Sequence, residues 1–297
     1  MIENNLSLWE KIELVTQEAL VKKVLHPIPT HYQIVEENGI KFIVRILDNL
    51  DKKEKAKKQQ KEKQKESNYK FNPFLPYEKD LFITDINENY VLILNKYNVV
   101  NHHLLVITRE FESQDTILTL EDFTALWIVF KQINGLGFYN GGKIAGASQP
   151  HKHLQIVPYP LVPEIDTLPI NNLILSNKNE DNIITLKSLP YSQAVSFFED
   201  ITHKSPQELG KITFDYYYQI LAKLNIKIKD NKPSINYNLL ITKDWMMVIP
   251  RKQEKIESIS INSLGFAGAL LVKNNIELEF LLKYKPLEIL TKTAFNN

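Results

Sequence analysis

Cysteine is absent from the 297 residues, which excludes disulfides, thiolate metal sites, iron–sulfur clusters and cysteine nucleophiles. Glycine is scarce at 9, so a cluster of glycines marks backbone that needs unusual freedom. No apolar run reaches the roughly 18 residues that argue for a transmembrane helix. The opening Met1-Ile-Glu-Asn-Asn-Leu6 lacks the basic head and apolar core of a secretory signal. A cytoplasmic location without a membrane partner is the corresponding expectation. Neither sign of charge prevails: 36 basic and 35 acidic residues leave a net charge of +1, so no global field recruits nucleic acid. The remainder, 43% hydrophobic and 24% charged, is the composition of a globular protein able to bury a core without staples.

Apolar spacing of three and four predicts an amphipathic helix over 3–24. Alternation on either side of Glu37-Asn38-Gly39 predicts a hairpin over 34–46. Strands are expected at 90–94 and 103–108, then a helix over 120–133. Thr119 and Asp122 form its capping box and Gly135-Leu-Gly137 its C-terminal stop. After a loop over 140–150 a strand is expected at 152–157. Helices are expected at 192–202 and 206–224, a hairpin over 237–250, and a final helix over 278–295 interrupted at Pro286. The chain divides in this reading into residues 1–175 and a C-terminal lobe of 176–297.

Residues 51–70 depart from the average composition, with Lys52, Lys53, Lys55, Lys57, Lys58, Lys61, Lys63, Lys65 and Lys70 diluted by three glutamates. A solvated surface segment is the favoured reading. Single-strand binding wants aromatic rings for base stacking, and none precedes Tyr69.

The chemistry concentrates in Asn140-Gly-Gly-Lys-Ile-Ala-Gly-Ala-Ser-Gln-Pro-His-Lys-His-Leu-Gln155. On a strand, His151, His153 and Gln155 point to one face, about 6–7 Å apart, while Lys152, Leu154 and Ile156 point to the other. Three readings compete for the polar face. Buried, satisfied histidines would need partners for two imidazoles and an amide at once. A metal site would need a third ligand, which Gln155 supplies poorly. A nucleophilic imidazole acting at phosphorus needs one nitrogen protonated and held, the other free. The loop favours the last. Gly141, Gly142 and Gly146 let backbone approach an anion, and the N–H groups of Gly146, Ala147, Ser148 and Gln149 are candidates for a phosphate nest.

This block resembles the transferase branch of the histidine-triad superfamily, in which Gln stands in place of a third histidine. Within that branch it is similar to the diadenosine tetraphosphate (Ap4A) phosphorylase, or ATP adenylyltransferase, family. Asn72-Pro-Phe, Leu94-Asn-Lys-Tyr, His103-Leu-Leu-Val, Phe138-Tyr-Asn-Gly, Tyr237-Asn-Leu-Leu and Gly265-Phe-Ala-Gly add to the resemblance. It implies an α+β fold, a histidine-triad-like antiparallel sheet with packed helices extended by a C-terminal lobe. It implies ping-pong transfer, Ap4A plus phosphate giving ADP and ATP through an adenylyl-histidine at His153, with His151 orienting the site and Gln155 touching phosphate. By the same resemblance Asn95, Lys96, Asn140, Gly146, Ala147, Ser148, Gln149, Thr242, Met247, Arg251 and one of Lys52 or Lys53 contact substrate. Magnesium is implied on the substrate phosphates, with no metal held by the protein. Partners are the nucleotides Ap4A, ATP and ADP, and phosphate, in a monomer or homodimer. The rivals are a dinucleoside polyphosphate hydrolase, a hexose-1-phosphate uridylyltransferase and a non-catalytic nucleotide sensor. His102 and His103 are read as structural; His26, His31 and His203 receive no role.

Overall fold

The computed structural model describes residues 6–47 and 72–297. The lysine-rich stretch 51–70, with Lys52 and Lys53, lies outside the described residues. Helix α1 (Leu8–Val21) opens on a capping box, Ser7 and Glu10 satisfying each other's backbone donors. A hairpin follows, β1 (Thr30–Glu37) and β2 (Ile40–Leu47). Its two-residue turn places Asn38 and Gly39 at φ 50° and 77°, as an Asn-Gly hairpin turn requires.

Strands β3 (Phe82–Asp85), β4 (Tyr90–Leu94) and β5 (Leu104–Thr108) lead into helix α2 (Leu120–Phe130). The Thr119–Asp122 capping box forms as expected. The C-terminal stop does not. The helix ends at Phe130, and Gly135-Leu-Gly137 instead opens strand β6 (Gly135–Gly141). A Cβ at Gly137 would stand 2.9 Å from the Phe130 ring and 3.0 Å from Ile241, so this glycine lets α2 close onto the sheet. Strand β7 (His153–Pro158), helix α3 (Asn171–Ser176) and strands β8 (Ile183–Ile184) and β9 (Ala194–Phe197) continue the chain. The helix expected at 192–202 is therefore β9. Val195 and Phe197 join one apolar cluster and Ala194 the other, a period of two that the short segment concealed.

Helix α4 (Pro206–Lys223), strands β10 (Ile228–Lys229) and β11 (Lys232–Pro233), and the hairpin β12 (Tyr237–Ile241) and β13 (Trp245–Pro250) come next. The chain closes through β14 (Lys255–Ile256), β15 (Ile259–Ser260), helix α5 (Ser263–Phe266), β16 (Ala269–Val272) and helices α6 (Asn275–Tyr284) and α7 (Pro286–Thr293). Lys285, at φ 67°, separates the last two helices just before Pro286.

A nine-stranded antiparallel sheet, ordered β3-β4-β5-β7-β6-β12-β13-β9-β8, carries the site. One face packs on α1, α2 and α4 through Leu92, Val106, Leu154, Ile156, Leu239 and Val248. The opposite face of β6, β12 and β13 packs under a three-stranded sheet, β1-β2-β16, in which the late strand β16 runs parallel to β2. On that same side β4 and β5 meet Phe74 in a separate apolar cluster of Val91, Ile93, Leu105 and Ile107. Between these two apolar patches stands β7, presenting His153 and Gln155.

Candidate active site

Strand β7 is central, with Gln155 opposite Leu105 of β5 and Phe138 of β6. His151 precedes the strand proper and is tied to Ser113 by an isolated bridge. The alternation expected for the motif holds: Leu154 and Ile156 join the helix-side core. Lys152 is buried on that side against Glu112 at 2.6 Å and Asp122 at 3.1 Å.

His151 has both ring nitrogens engaged. Nε2 lies 3.0 Å from the Thr108 carbonyl, to which it donates, and Nδ1 accepts from Asn72 Nδ2 at 2.9 Å. Phe74 and Phe111 contact the ring edge-on. The clamped residue turns its own carbonyl toward His153, whose Nδ1 lies 2.8 Å away. That carbonyl only accepts, so His153 carries its proton on Nδ1. Nε2 keeps its lone pair and has no partner among the described residues. Burial holds the His153 imidazole neutral, with its pKa lowered to about 4.

Two amides, Gln155 and Asn140, share the sheet face on which His153 stands. Gln155 Oε1 lies 3.0 Å from His103 Nε2, and His103 Nδ1 lies 3.2 Å from Asn95 Nδ2. Asn95 Oδ1 accepts from the Tyr97 backbone N–H at 3.3 Å, which fixes the polarity of the row. Asn95 donates to His103, His103 donates to Gln155, and the Gln155 NH2 group faces away from the row. Burial lowers the His103 pKa to about 4 as well, so the ring stays neutral. His103, read from sequence as structural, thus touches the motif directly. His102 packs near Trp9 and Thr16.

Asn140 is the second amide. Its Oδ1 receives Asn238 Nδ2 at 2.9 Å, Ser263 N at 3.0 Å and Ser263 Oγ at 2.7 Å. Its Nδ2 has no partner among the described residues. The Gln114 amide donates to the Asn140 carbonyl and accepts the His153 N–H at 2.8 Å, filling the point where β6 and β7 part.

The loop between them is half the expected nest. Gly142 and Gly146 adopt φ 94° and 90°, so the glycines are required. The N–H groups of Gly146 and Ala147 are used inside the turn, on Lys143 and Gly142. Those of Ser148 and Gln149, and both side chains, have no partner among the described residues.

Five expected contacts are held by other partners or stand apart from the motif. Lys96 pairs with Glu78 at 2.5 Å, and Asn95 reaches the motif only through His103. Thr242 caps the turn between β12 and β13, accepting from Asp244 and Trp245. It lies four residues along the strand from Asn238, about 13 Å. Met247 follows Leu240 and Phe138 across the sheet, three strands from Gln155, about 14 Å. Arg251 has every donor engaged by protein. Among the described residues no group of three His, Cys, Asp or Glu could hold a metal ion.

The N-terminal domain model of Ap4A phosphorylase matches residues 1–176, and the C-terminal domain model of ATP adenylyltransferase matches 187–296. The chain belongs to the Ap4A phosphorylase family. It is 30% identical over 236 residues to diadenosine 5',5'''-P1,P4-tetraphosphate phosphorylase 2 of Saccharomyces cerevisiae, covering 70% of either chain. Its fold matches the crystal structure of yeast Ap4A phosphorylase Apa2 in complex with Ap4A, TM-score 0.80 at 23% identity, over 100% of this chain and 99% of that one. The Apa2 complex with AMP matches with TM-score 0.78 at 25% identity and the same coverage. The α+β, histidine-triad-like fold expected for the family is the fold observed.

Proposed function

We propose that the protein is a nucleotidyltransferase that phosphorolyses Ap4A, converting Ap4A and phosphate to ADP and ATP. One observation carries the reading: His153 has its Nδ1 proton held by the His151 carbonyl, and its Nε2 lone pair has no partner among the described residues. The Nε2 lone pair attacks the α-phosphorus, the bond to the bridging oxygen breaks, and ATP departs with that oxygen. A phosphate oxygen then attacks the same phosphorus, the nitrogen–phosphorus bond breaks, and ADP departs. The His151 carbonyl faces the positive charge that the adenylylated ring carries.

Charge develops on the non-bridging oxygens in both steps, where the Gln155 and Asn140 amides and the Ser148 and Gln149 N–H groups supply donors. The substrate enters as its magnesium complex, with the ion on polyphosphate oxygens. The C-terminal lobe contributes through Asn238, Ser263 and Arg251. The crystal complexes of yeast Apa2 with Ap4A and with AMP agree with this choice of substrate.

Product analysis tests it. With Ap4A and phosphate together, ADP and ATP are expected in equal amounts. AMP and ATP as the main products assign a hydrolase instead. His153→Ala is expected to retain less than about a hundredth of the turnover.

A further inference from the structure

Arg251 is 2% exposed and lies at the end of β13, with its guanidinium 5.2 Å over the Phe266 ring. Its five N–H groups are all used. Nε donates to the Thr293 carbonyl at 3.0 Å. Nη1 donates to Asn238 Oδ1 at 2.5 Å and the Ile261 carbonyl at 3.0 Å. Nη2 donates to the carbonyls of Gln253 at 2.8 Å and Glu254 at 3.2 Å. No carboxylate pairs with it among the described residues. A buried guanidinium without a counter-ion is costly, so its chemistry calls for a reason that packing does not supply.

The reason lies in what arginine cannot do. A primary amide presents an oxygen or a nitrogen of nearly equal size, so its orientation is set by its partners. Guanidinium has donors only, and the Ala145 carbonyl, an acceptor only, takes Asn238 Nδ2 at 2.8 Å, so Asn238 turns Oδ1 to Arg251 and Nδ2 to Asn140 and Ala145. Asn140 then turns Oδ1 to Asn238 and Ser263, and its Nδ2 faces outward from the row. Asn140 lies two residues beyond Phe138 on the same face of β6, and the Gln114 amide bridges its carbonyl to the His153 N–H. We infer that Arg251, through Asn238, is a positioning residue that sets the polarity of Asn140, so that its NH2 group and not its carbonyl meets the reacting phosphate. Ser263, with two donors on the same oxygen, reinforces the setting. The inference rests on the proposed adenylyl transfer. It gives residues of the C-terminal lobe a definite part in a reaction whose nucleophile lies in the N-terminal one.

Asn238→Asp separates polarity from packing. The carboxylate keeps the Arg251 contact but accepts from Asn140, reversing that amide. The readouts are the single-turnover rate of adenylyl transfer from Ap4A to His153, KM for Ap4A, and Tm. Transfer is expected to slow about 10²–10³-fold, with KM within about threefold, since the donor matters most where charge develops. Asn140→Ala is expected to slow it comparably, and the double variant to be no slower than Asn140→Ala alone. A folded Asn238→Asp enzyme within about threefold of wild type, or losses that multiply in the double variant, overturns the inference.

Should Asn238→Asp melt at assay temperature, Arg251→Lys and Arg251→Gln decide. Lysine only donates, whereas glutamine can turn an oxygen to Asn238. Lysine is expected to be faster by at least about tenfold, and equal rates overturn the relay. A wild-type enzyme that forms no adduct on His153 overturns the proposed function itself. Unaltered adduct formation in Asn238→Asp overturns only the relay.

Discussion

The Nδ1 atom of His153 lies 2.8 Å from the carbonyl oxygen of His151, two residues earlier on the same chain. This contact settles the tautomer, because a carbonyl oxygen cannot donate. It also explains why the first histidine of the motif is a clamped group: Asn72 and Thr108 hold its ring so that its backbone aims at the second.

The pH dependence follows from the buried rings. Protonating His153 removes the attacking lone pair, so transfer is expected to be flat from about pH 5.5 upward on this account and to fall toward its pKa of about 4. Stability follows the same groups. The pKa values of His153 and His103, about 4 when folded against an ordinary 6.5, mean that the unfolded chain binds more protons between those limits. Their stabilising contribution is therefore present above pH 6.5 and lost as pH falls through 4. Urea midpoints measured between pH 4 and 7 check the sign.

His103 is expected to act through Gln155. His103→Phe removes the donor that orients the amide and should slow adenylyl transfer about tenfold. In a Gln155→Ala background the same change should have no further effect on the rate. A single-turnover double-mutant cycle measures the coupling.

Gly146 tests the loop. Its φ is 90°, and a Cβ there would stand 2.9 Å from the Ile261 carbonyl oxygen. Gly146→Ala is therefore expected to cost about 1–3 kcal/mol in denaturant unfolding. Transfer should also slow, since Ser148 and Gln149 lie two and three residues on in the same loop.

Lys152 tests the support beneath the motif. Its ammonium stands between Glu112 and Asp122, and Asp122 also accepts from Tyr90 Oη at 2.9 Å. Lys152→Met leaves the Asp122 carboxylate buried without its cation, at about 3–5 kcal/mol by thermal or urea unfolding.

Local signals were legible wherever a short stretch carried its own instruction. The capping box at Thr119, the Asn38-Gly39 turn, the break at Pro286 and the alternation of His153 and Gln155 depend on neighbours in the chain, and each appears in the structure. Gly135 to Gly137 misled because a glycine that ends a helix and one that admits a helix onto a strand read alike. The distinction depends on Phe130 and Ile241 in space.

By itself, then, the order of residues determined the family, the strand that bears His153 and Gln155, and which side chains share its face, since backbone periodicity and motif spacing are local properties. Only the tertiary structure decided which atoms of those side chains are donors and which are free. Amide and imidazole polarity is imposed by distant partners. His103, Asn238, Ser263 and Arg251 reach the site from strands and loops that no sequence spacing places beside it.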